Sequence, residues 1–526
     1  MLQTGADRAG DWRGAVGVFL LALVVRGLLC AEPICLSRDG VHFVTFAKQL
    51  ADDPIRWMRI TTKQPGFSYL LLAAHRVLGP MSGGQTPESW QRCGELLAMI
   101  GGALVCLLIY ALARRLFDRR TAIVAGLFAC FWPQGGQLSA DVLSDMPHLA
   151  LYLLALLVAY EMLLKPGLWR PALCGLTAGG AYLIRQEALG LVVAAAIGLS
   201  WPGSRRPLRK KMTSVVILLV CFVAVVAPYS IAAGKIMPNK GPQDLFTRLS
   251  SSSIGAMASP WLLAHVVPPW LLPGQMADEW CHSGRYVFST LFLLGLFLRR
   301  PDGEKLVPAA ERSGRRLVIL AVLVHLGLVV MRVGVFGEIS SRYMVIPAAL
   351  VIPWAAAAFV AIVGGIAARI SDPTPTRRAA VWFSGYILAL TPLLYYVTLP
   401  VNGGMERYRT AGLWMREHTG ARGVVLAHDG LGPVMFYAGR TYPDATWLAC
   451  RKSDSLADIR AIIARRKPAW FVDAKQSHQD ELDEQTYFRE LLGGEGGGMR
   501  QAFATGPAGR QVFVFRTPFA ASRPAK

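Results

Sequence analysis

The chain has 526 residues, of which 53% are hydrophobic and 17% charged, against roughly 25% charged in an average soluble protein. That balance argues against an ordinary soluble enzyme and makes lipid the solvent for most of the chain. The formal net charge of +21 sits in short basic clusters between apolar segments, not in a groove with interleaved aromatics, so no nucleic-acid partner is indicated.

The first apolar run follows Arg8 and Arg13 and continues past Arg26 to Leu36 without a small-residue cleavage site, so it reads as an uncleaved first helix and not as a signal peptide. A spanning helix needs roughly 20 largely apolar residues. Candidate spans fall near 15–36, 93–113, 121–139, 146–164, 171–185, 187–202, 213–234, 286–298, 316–332, 343–368 and 379–400. The shorter ones must tilt or be partly buried by neighbours. The expected fold is an all-α polytopic membrane domain over 1–400, of about eleven transmembrane helices, followed by a small α/β soluble domain over 401–526.

Lys and Arg are retained on the cytoplasmic side of a membrane. The clusters Arg114-Arg115 with Arg119-Arg120, Lys165 with Arg170, Arg205 to Lys211, Arg299 to Arg316 and Arg369 to Arg378 recur at every second loop. This alternation puts the N-terminus in the cytoplasm. The loops 37–92, 140–145, 235–285 and 333–342, and everything after 400, then lie on the outer face of the inner (cytoplasmic) membrane. In loop 37–92 the stretches Val41 to Ala47 and Phe67 to Leu72 read as helices lying along the lipid interface. Loop 235–285 carries Trp261, Trp270 and Trp280 among prolines, a composition suited to the headgroup level.

Beyond Pro400 the apolar runs shrink to strand length, at Gly423 to Ala427, Val434 to Tyr437, Ala469 to Val472 and Val512 to Phe515, and a helical stretch runs from Leu456 to Arg465. Gly493 to Gly498 reads as a flexible turn. The nine cysteines show neither CxxC spacing nor a paired framework, so neither zinc nor a disulfide scaffold is indicated and packing within helices is expected.

Ionisable residues at a membrane boundary are costly, which makes them functional candidates. Arg38, Asp39 and His42 follow the first span; Asp39 suits a general base, and equally a helix N-cap. Lys63 and Gln64 precede the Pro65-Gly66 turn, where a basic side chain could hold a phosphate or be a solvated loop charge. If 141–145 is helical, Asp141 and Asp145 share a face and could bind a divalent cation, Mg or Mn, or orient a substrate. Capping of the following helix is the alternative for Asp145, since Pro147 follows. Arg185 with Glu187, and Arg332 and Arg342 on either side of loop 333–342, offer guanidinium forks matched to phosphate oxygens. A lone Arg26 is read as snorkelling to the interface. No P-loop, dinucleotide turn, HExxH or nucleophile elbow is present.

Taken in order, Arg38-Asp39-Gly40-Val41-His42-Phe43, Gln64-Pro65-Gly66-Phe67-Ser68-Tyr69, Leu143-Ser144-Asp145, Gly175-Leu176-Thr177-Ala178-Gly179-Gly180 with Arg185, and Ser341-Arg342-Tyr343-Met344 resemble the GT-C superfamily of membrane glycosyltransferases. The similarity is to the bacterial relatives of protein O-mannosyltransferases and to the aminoarabinose transferase. The resemblance implies a polyprenyl-phosphate-linked sugar as donor and a lipid, glycan or protein as acceptor. It implies catalytic roles for Asp39, as base, and Asp145. It also implies donor contacts from Arg38, His42, Lys63, Gln64, Arg185, Arg342 and Tyr343. The chain departs from the family where Gly40 follows Asp39 in place of a second acidic residue and where Phe43 replaces a tyrosine. A lipid-linked glycan flippase or transporter, and a non-catalytic scaffold displaying the tail, are the alternatives from other classes.

Overall fold

A computed structural model describes residues 5–31, 35–165, 167–200, 207–235, 272–283, 286–297, 309–336, 340–369, 374–419, 423–440, 447–450, 456–474, 500–506 and 511–521. The chain divides into two compact units. The first contains Met1–Ala31, Asp52–Leu70 and Leu96–Leu399; the second contains Glu32–Ala51, Leu71–Glu95 and Pro400–Lys526. Trp261, Trp270 and the Gly493 to Gly498 turn lie outside the described residues.

Among the described residues, seven helices are long and apolar enough to cross a membrane: Trp12–Ala31, Pro87–Leu116, Asp145–Leu164, Leu208–Ala233, Ser313–Val333, Ser341–Ala368 and Pro375–Val397. In their described residues the other expected spans are helical but shorter, as in Trp169–Ile184, Ala188–Ser200 and Val287–Phe297. At 1.5 Å per residue these fall short of a hydrocarbon layer of about 30 Å.

Residues 121–139, expected as one span, form two helices, Arg119–Cys130 and Pro133–Ser139. Pro133 causes the break, because it has no N–H to donate and its ring clashes with the preceding turn. The carbonyls left open at the end of the first piece are met by Arg26, whose Nη1 donates to Cys130 O at 2.8 Å and Nη2 to Ala129 O at 2.9 Å. Arg26 is 1% exposed. It does not snorkel to the interface: the open helix end inside the protein supplies the partial negative charge that headgroup water would otherwise supply.

Small residues set the closest packing in this unit. A Cβ at Gly175 would collide with the Leu218 carbonyl, and one at Gly179 would lie 2.8 Å from the Val225 Cβ. The Trp169–Ile184 helix therefore lies directly on the Leu208–Ala233 helix, as small-xxx-small spacing permits in lipid. Trp280 also departs from expectation: it packs on a cluster of Val329, Val333 and Met344, so protein covers part of the ring assigned to headgroups.

The second unit is built on a five-stranded mixed sheet: β1 (Val425–His428), β2 (Trp447–Cys450), β3 (Trp470–Ala474), β4 (Arg500–Thr505) and β5 (Val512–Arg516), in the order β2-β1-β3-β5-β4. β1 pairs parallel with β2 and β3, whereas β5 pairs antiparallel with β3 and β4. One face buries Leu426, Phe471, Phe513 and Phe515 against Ile463 of the Leu456–Arg466 helix. Phe503 stacks on Trp414 of the Glu406–His418 helix at 4.9 Å. Val434 to Tyr437, expected as a strand, belongs to the helix Gly432–Tyr437, because Pro433 in its first turn is already set for helical φ.

Glu32–Ala51 and Leu71–Glu95 also belong to this unit, whereas Phe67 to Leu70 fall in the first. Tyr437 donates to Gln91 Oε1 at 2.7 Å and accepts from the Leu36 N–H at 3.1 Å. Arg416 pairs with Glu88 at 2.7 Å. The Val41 to Ala47 stretch lies in the helix Arg38–Asp52, whose residues Val41, Phe43, Val44, Phe46, Ala47 and Leu50 are buried by protein, so the apolar side assigned to lipid is covered within the unit. In the same unit His75 stacks on Trp90 with 3.6 Å between ring centroids, and the Lys48 ammonium lies 5.6 Å from the Trp90 ring.

Candidate functional site

In the first unit three helix ends bring charged side chains together. Asp145 opens the Asp145–Leu164 helix, where a carboxylate complements the positive helix terminus. Arg185 ends the Trp169–Ile184 helix, with extended backbone that stops the next turn. Two residues on, Glu187 precedes the Ala188–Ser200 helix. Arg342 lies in the single 3₁₀ turn Ser341–Met344, begun by Ser340, whose Oγ accepts from the Arg342 N–H at 3.4 Å.

The geometry is that of a bridged carboxylate. Arg185 Nη1 donates to Asp145 Oδ1 at 2.7 Å, and Arg342 Nη2 donates to Oδ2 at 2.7 Å. Arg185 turns its other edge to Glu187, with Nη2 to Oε1 at 2.9 Å and Nε to Oε2 at 3.4 Å. The Asp145 side chain is only 3% exposed, whereas those of Arg185 and Arg342 are 18% and 31% exposed. The arginines are thus the accessible members and Asp145 the buried one.

Tyr343, beside Arg342, accepts from Arg332 Nη2 at 2.9 Å, and the Arg332 guanidinium carbon lies 4.3 Å from its ring centroid. His325 Nε2 donates to the Tyr343 carbonyl at 3.0 Å. This fixes the turn that carries Arg342. The Lys63-Gln64-Pro65-Gly66 segment belongs to the same unit. A Cβ on Gly66 would stand 2.5 Å from the Leu183 carbonyl oxygen, so glycine lets this loop lie against the turn leading into Arg185. Gln64 is buried and its Nε2 finds no hydrogen-bond partner among the described residues, while Lys63 is half-buried.

Asp141 does not share a helix face with Asp145. Residues 140–144 are non-helical, and Asp141 Oδ1 accepts from the Val142 N–H at 2.7 Å, shaping the turn. Both oxygens of Asp145 already accept guanidinium hydrogen bonds, and among the described residues no three His, Cys, Asp or Glu side chains gather to hold a metal ion. The residues present do not fit a divalent cation on the Asp141–Asp145 pair, so no chemical step is derived through one.

Asp39, Arg38 and His42 belong to the second unit. Asp39 is not the cap of its helix: Ser37 is, with its Oγ accepting from the Gly40 N–H at 3.1 Å and its carbonyl from the Val41 N–H at 3.1 Å. Asp39 is half-buried in the first turn, and Arg38 and His42 are exposed. Two further groups escaped the sequence reading. His148, one turn beyond Asp145, is buried with Nε2 unpartnered among the described residues, and Glu187 stands beside Arg185 with no role assigned from sequence. A histidine three residues after Asp145 in an apolar run was the available signal.

Residues 91–231 match the family described as dolichyl-phosphate-mannose-protein mannosyltransferase. No curated protein matches the sequence. Among solved structures, apo ArnT from Cupriavidus metallidurans superposes with a TM-score of 0.58 at 13% identity, over 99% of this chain and all of its own length. The same ArnT bound to undecaprenyl phosphate gives 0.56 at 14% identity, over 95% of this chain and 97% of that one. The Archaeoglobus fulgidus oligosaccharyltransferase AglB, in complex with an inhibitory peptide and a dolichol-phosphate, gives 0.56 at 15% identity, over 97% of this chain and 74% of that one. The chain shares the fold of these two membrane transferase structures. With seven described helices long and apolar enough to cross a membrane, the chain carries its Asp145, Arg185 and Arg342 cluster where the ends of three helical segments meet.

Proposed function

We propose that this protein is an inverting glycosyltransferase of the GT-C type that moves a sugar from a polyprenyl-phosphate-linked donor to an acceptor at the outer face of the membrane. The observation that carries the proposal is the pair Arg185 and Arg342, drawn from separate helix ends onto one carboxylate at 2.7 Å each. Guanidinium groups brought together in this way match phosphate oxygens and stabilise a phosphate as it leaves. The buried Gln64 amide, whose Nε2 has no partner among the described residues, adds a donor in search of an acceptor. ArnT with undecaprenyl phosphate and AglB with dolichol-phosphate, both of the same fold, support a lipid phosphate as ligand.

In this reading Asp39, in the first turn of the helix capped by Ser37, takes the proton of the acceptor hydroxyl. The acceptor oxygen bonds to the anomeric carbon as the bond from that carbon to the phosphate oxygen breaks. The polyprenyl phosphate departs with the electron pair, and direct displacement inverts the anomeric centre. Alternation of the basic clusters along the sequence supports the outer-face assignment.

The test is sugar transfer in proteoliposomes from a panel of polyprenyl-phosphate-linked sugars, with acceptors named by mass spectrometry of surface glycolipids and glycoproteins from a strain lacking the chain. Asp39→Asn is expected to lower the rate by about 10²–10⁴-fold, the usual share of a general base. An unchanged rate would remove Asp39 from the mechanism.

A further inference from the structure

The two arginines assigned to the donor phosphate already hold an anion. A guanidinium has five N–H donors in a fixed fork. Arg185 spends its Nε and Nη2 edge on Glu187 and turns Nη1 to Asp145, while Arg342 takes the second Asp145 oxygen. The charges of these four groups, two carboxylates and two guanidiniums, sum to zero. A phosphate entering among them must displace a carboxylate or face one across a low-dielectric gap, where like charges repel strongly.

The two carboxylates are not equally fixed. Glu187 sits two residues from Arg185 in one turn, grips it through two N–H groups, and is tied down by the Gly190 N–H on its own carbonyl at 3.1 Å. Asp145 receives one N–H from each of two residues, 40 and 197 positions away. It is the more buried partner of both bridges, with the arginines on the accessible side. A phosphate arriving from that side meets the arginines before it meets Asp145, and its oxygens can accept one N–H from each, as the carboxylate now does.

We propose that Asp145 is an exchangeable internal anion: its carboxylate occupies the seat between Arg185 and Arg342 that the donor phosphate takes, while Glu187 stays on Arg185 as a positioning residue. The proposal rests on the reading of this cluster as the lipid-phosphate site. It explains how a site with two converging guanidiniums avoids being trapped by its own product. Once the sugar has left, the carboxylate returns to the arginines and the polyprenyl phosphate is released.

The experiment measures equilibrium binding of undecaprenyl phosphate to the full chain in nanodiscs. Asp145→Asn keeps the shape and removes the competing charge, and is expected to tighten binding at least tenfold. Glu187→Gln is expected to weaken it, because Arg185 loses its aim. A general loss of negative charge would tighten both, so opposite signs are the signature of exchange. Unchanged or weaker binding by Asp145→Asn, with Arg185→Gln weaker than wild type, overturns the exchange and leaves the phosphate site standing. No binding by wild type or by any of these variants sinks the phosphate site and the exchange with it. If Asp145→Asn does not fold, cryo-electron microscopy of the wild-type chain with undecaprenyl phosphate decides. Separation of Asp145 from Arg342 supports the proposal, and both bridges intact beside bound lipid overturns it.

Discussion

Arg26 and the pair Arg185–Arg342 are guanidiniums placed in the same membrane unit with opposite solutions to the same cost. Arg26 is held by two backbone carbonyls at the end of a broken helix. Those acceptors cannot move without unwinding the helix, so the contact is part of the fold. Arg185 and Arg342 are held by side-chain carboxylates at the ends of helices, on rotatable bonds and with the guanidiniums partly exposed. The kind of partner, more than depth of burial, separates a structural cation from one available to a ligand.

Four measurements would sharpen or break that contrast. The largest expected effect is on Arg342→Gln, which should slow sugar transfer by about 10²–10³-fold, the usual loss of one preorganised donor to a leaving oxyanion. Its thermal unfolding in detergent should stay close to wild type, and a collapse of the fold would place Arg342 with Arg26. Next is Arg26→Met, which should destabilise the chain by about 3 kcal/mol, since charged hydrogen bonds are worth roughly 1.5–3 kcal/mol each. Denaturant unfolding measures this. Loss of lipid-phosphate binding with stability unchanged would erase the distinction.

Gly66→Ala comes third. Its new methyl would meet the Leu183 carbonyl at 2.5 Å, and overpacking of this kind costs about 1–3 kcal/mol. Because the displaced turn leads into Arg185, kcat should fall more than stability predicts, which a comparison of transfer kinetics with melting would show. The smallest effect concerns two basic groups with no carboxylate partner among the described residues. Burial pushes His75 below the ordinary histidine value, partly offset by its bond to the Gly84 carbonyl, and burial likewise lowers Lys48. A histidine lowered in this way favours the folded state above its unfolded value of about 6.5, and that contribution is lost as pH falls through the folded value. The midpoint of unfolding should therefore drop on acidification below about pH 6.5, and His75→Phe should flatten that slope.

The sequence made the membrane class and the main helices legible because long apolar runs and basic punctuation are local signals. It made Asp145, Arg185 and Arg342 legible as candidates because charges at span ends are conspicuous. It could not show that they meet, since Asp145 and Arg342 are 197 positions apart. Arg26 was misread because the carbonyls that hold it are opened by Pro133, more than a hundred residues on. Four residues of apolar sequence at Val434 to Tyr437 carry no period long enough to separate strand from helix, and strands β2 and β4 are equally short of signal. Ser37 could have been recognised as the cap in place of Asp39, being a serine directly before an acidic first turn.

The Tyr437 hydroxyl ties together residues 346 and 401 positions apart in the chain. During synthesis at about 5–20 residues per second, Gln91 and Leu36 emerge roughly 20 to 80 s before their partner exists. The unit that holds the helix carrying Asp39 is therefore incomplete until the residues beyond 400 arrive. Assembly of the second unit is in this sense a completion check: a chain cut short after the spans could insert in the membrane yet leave the segment bearing the proposed base without the core that holds it.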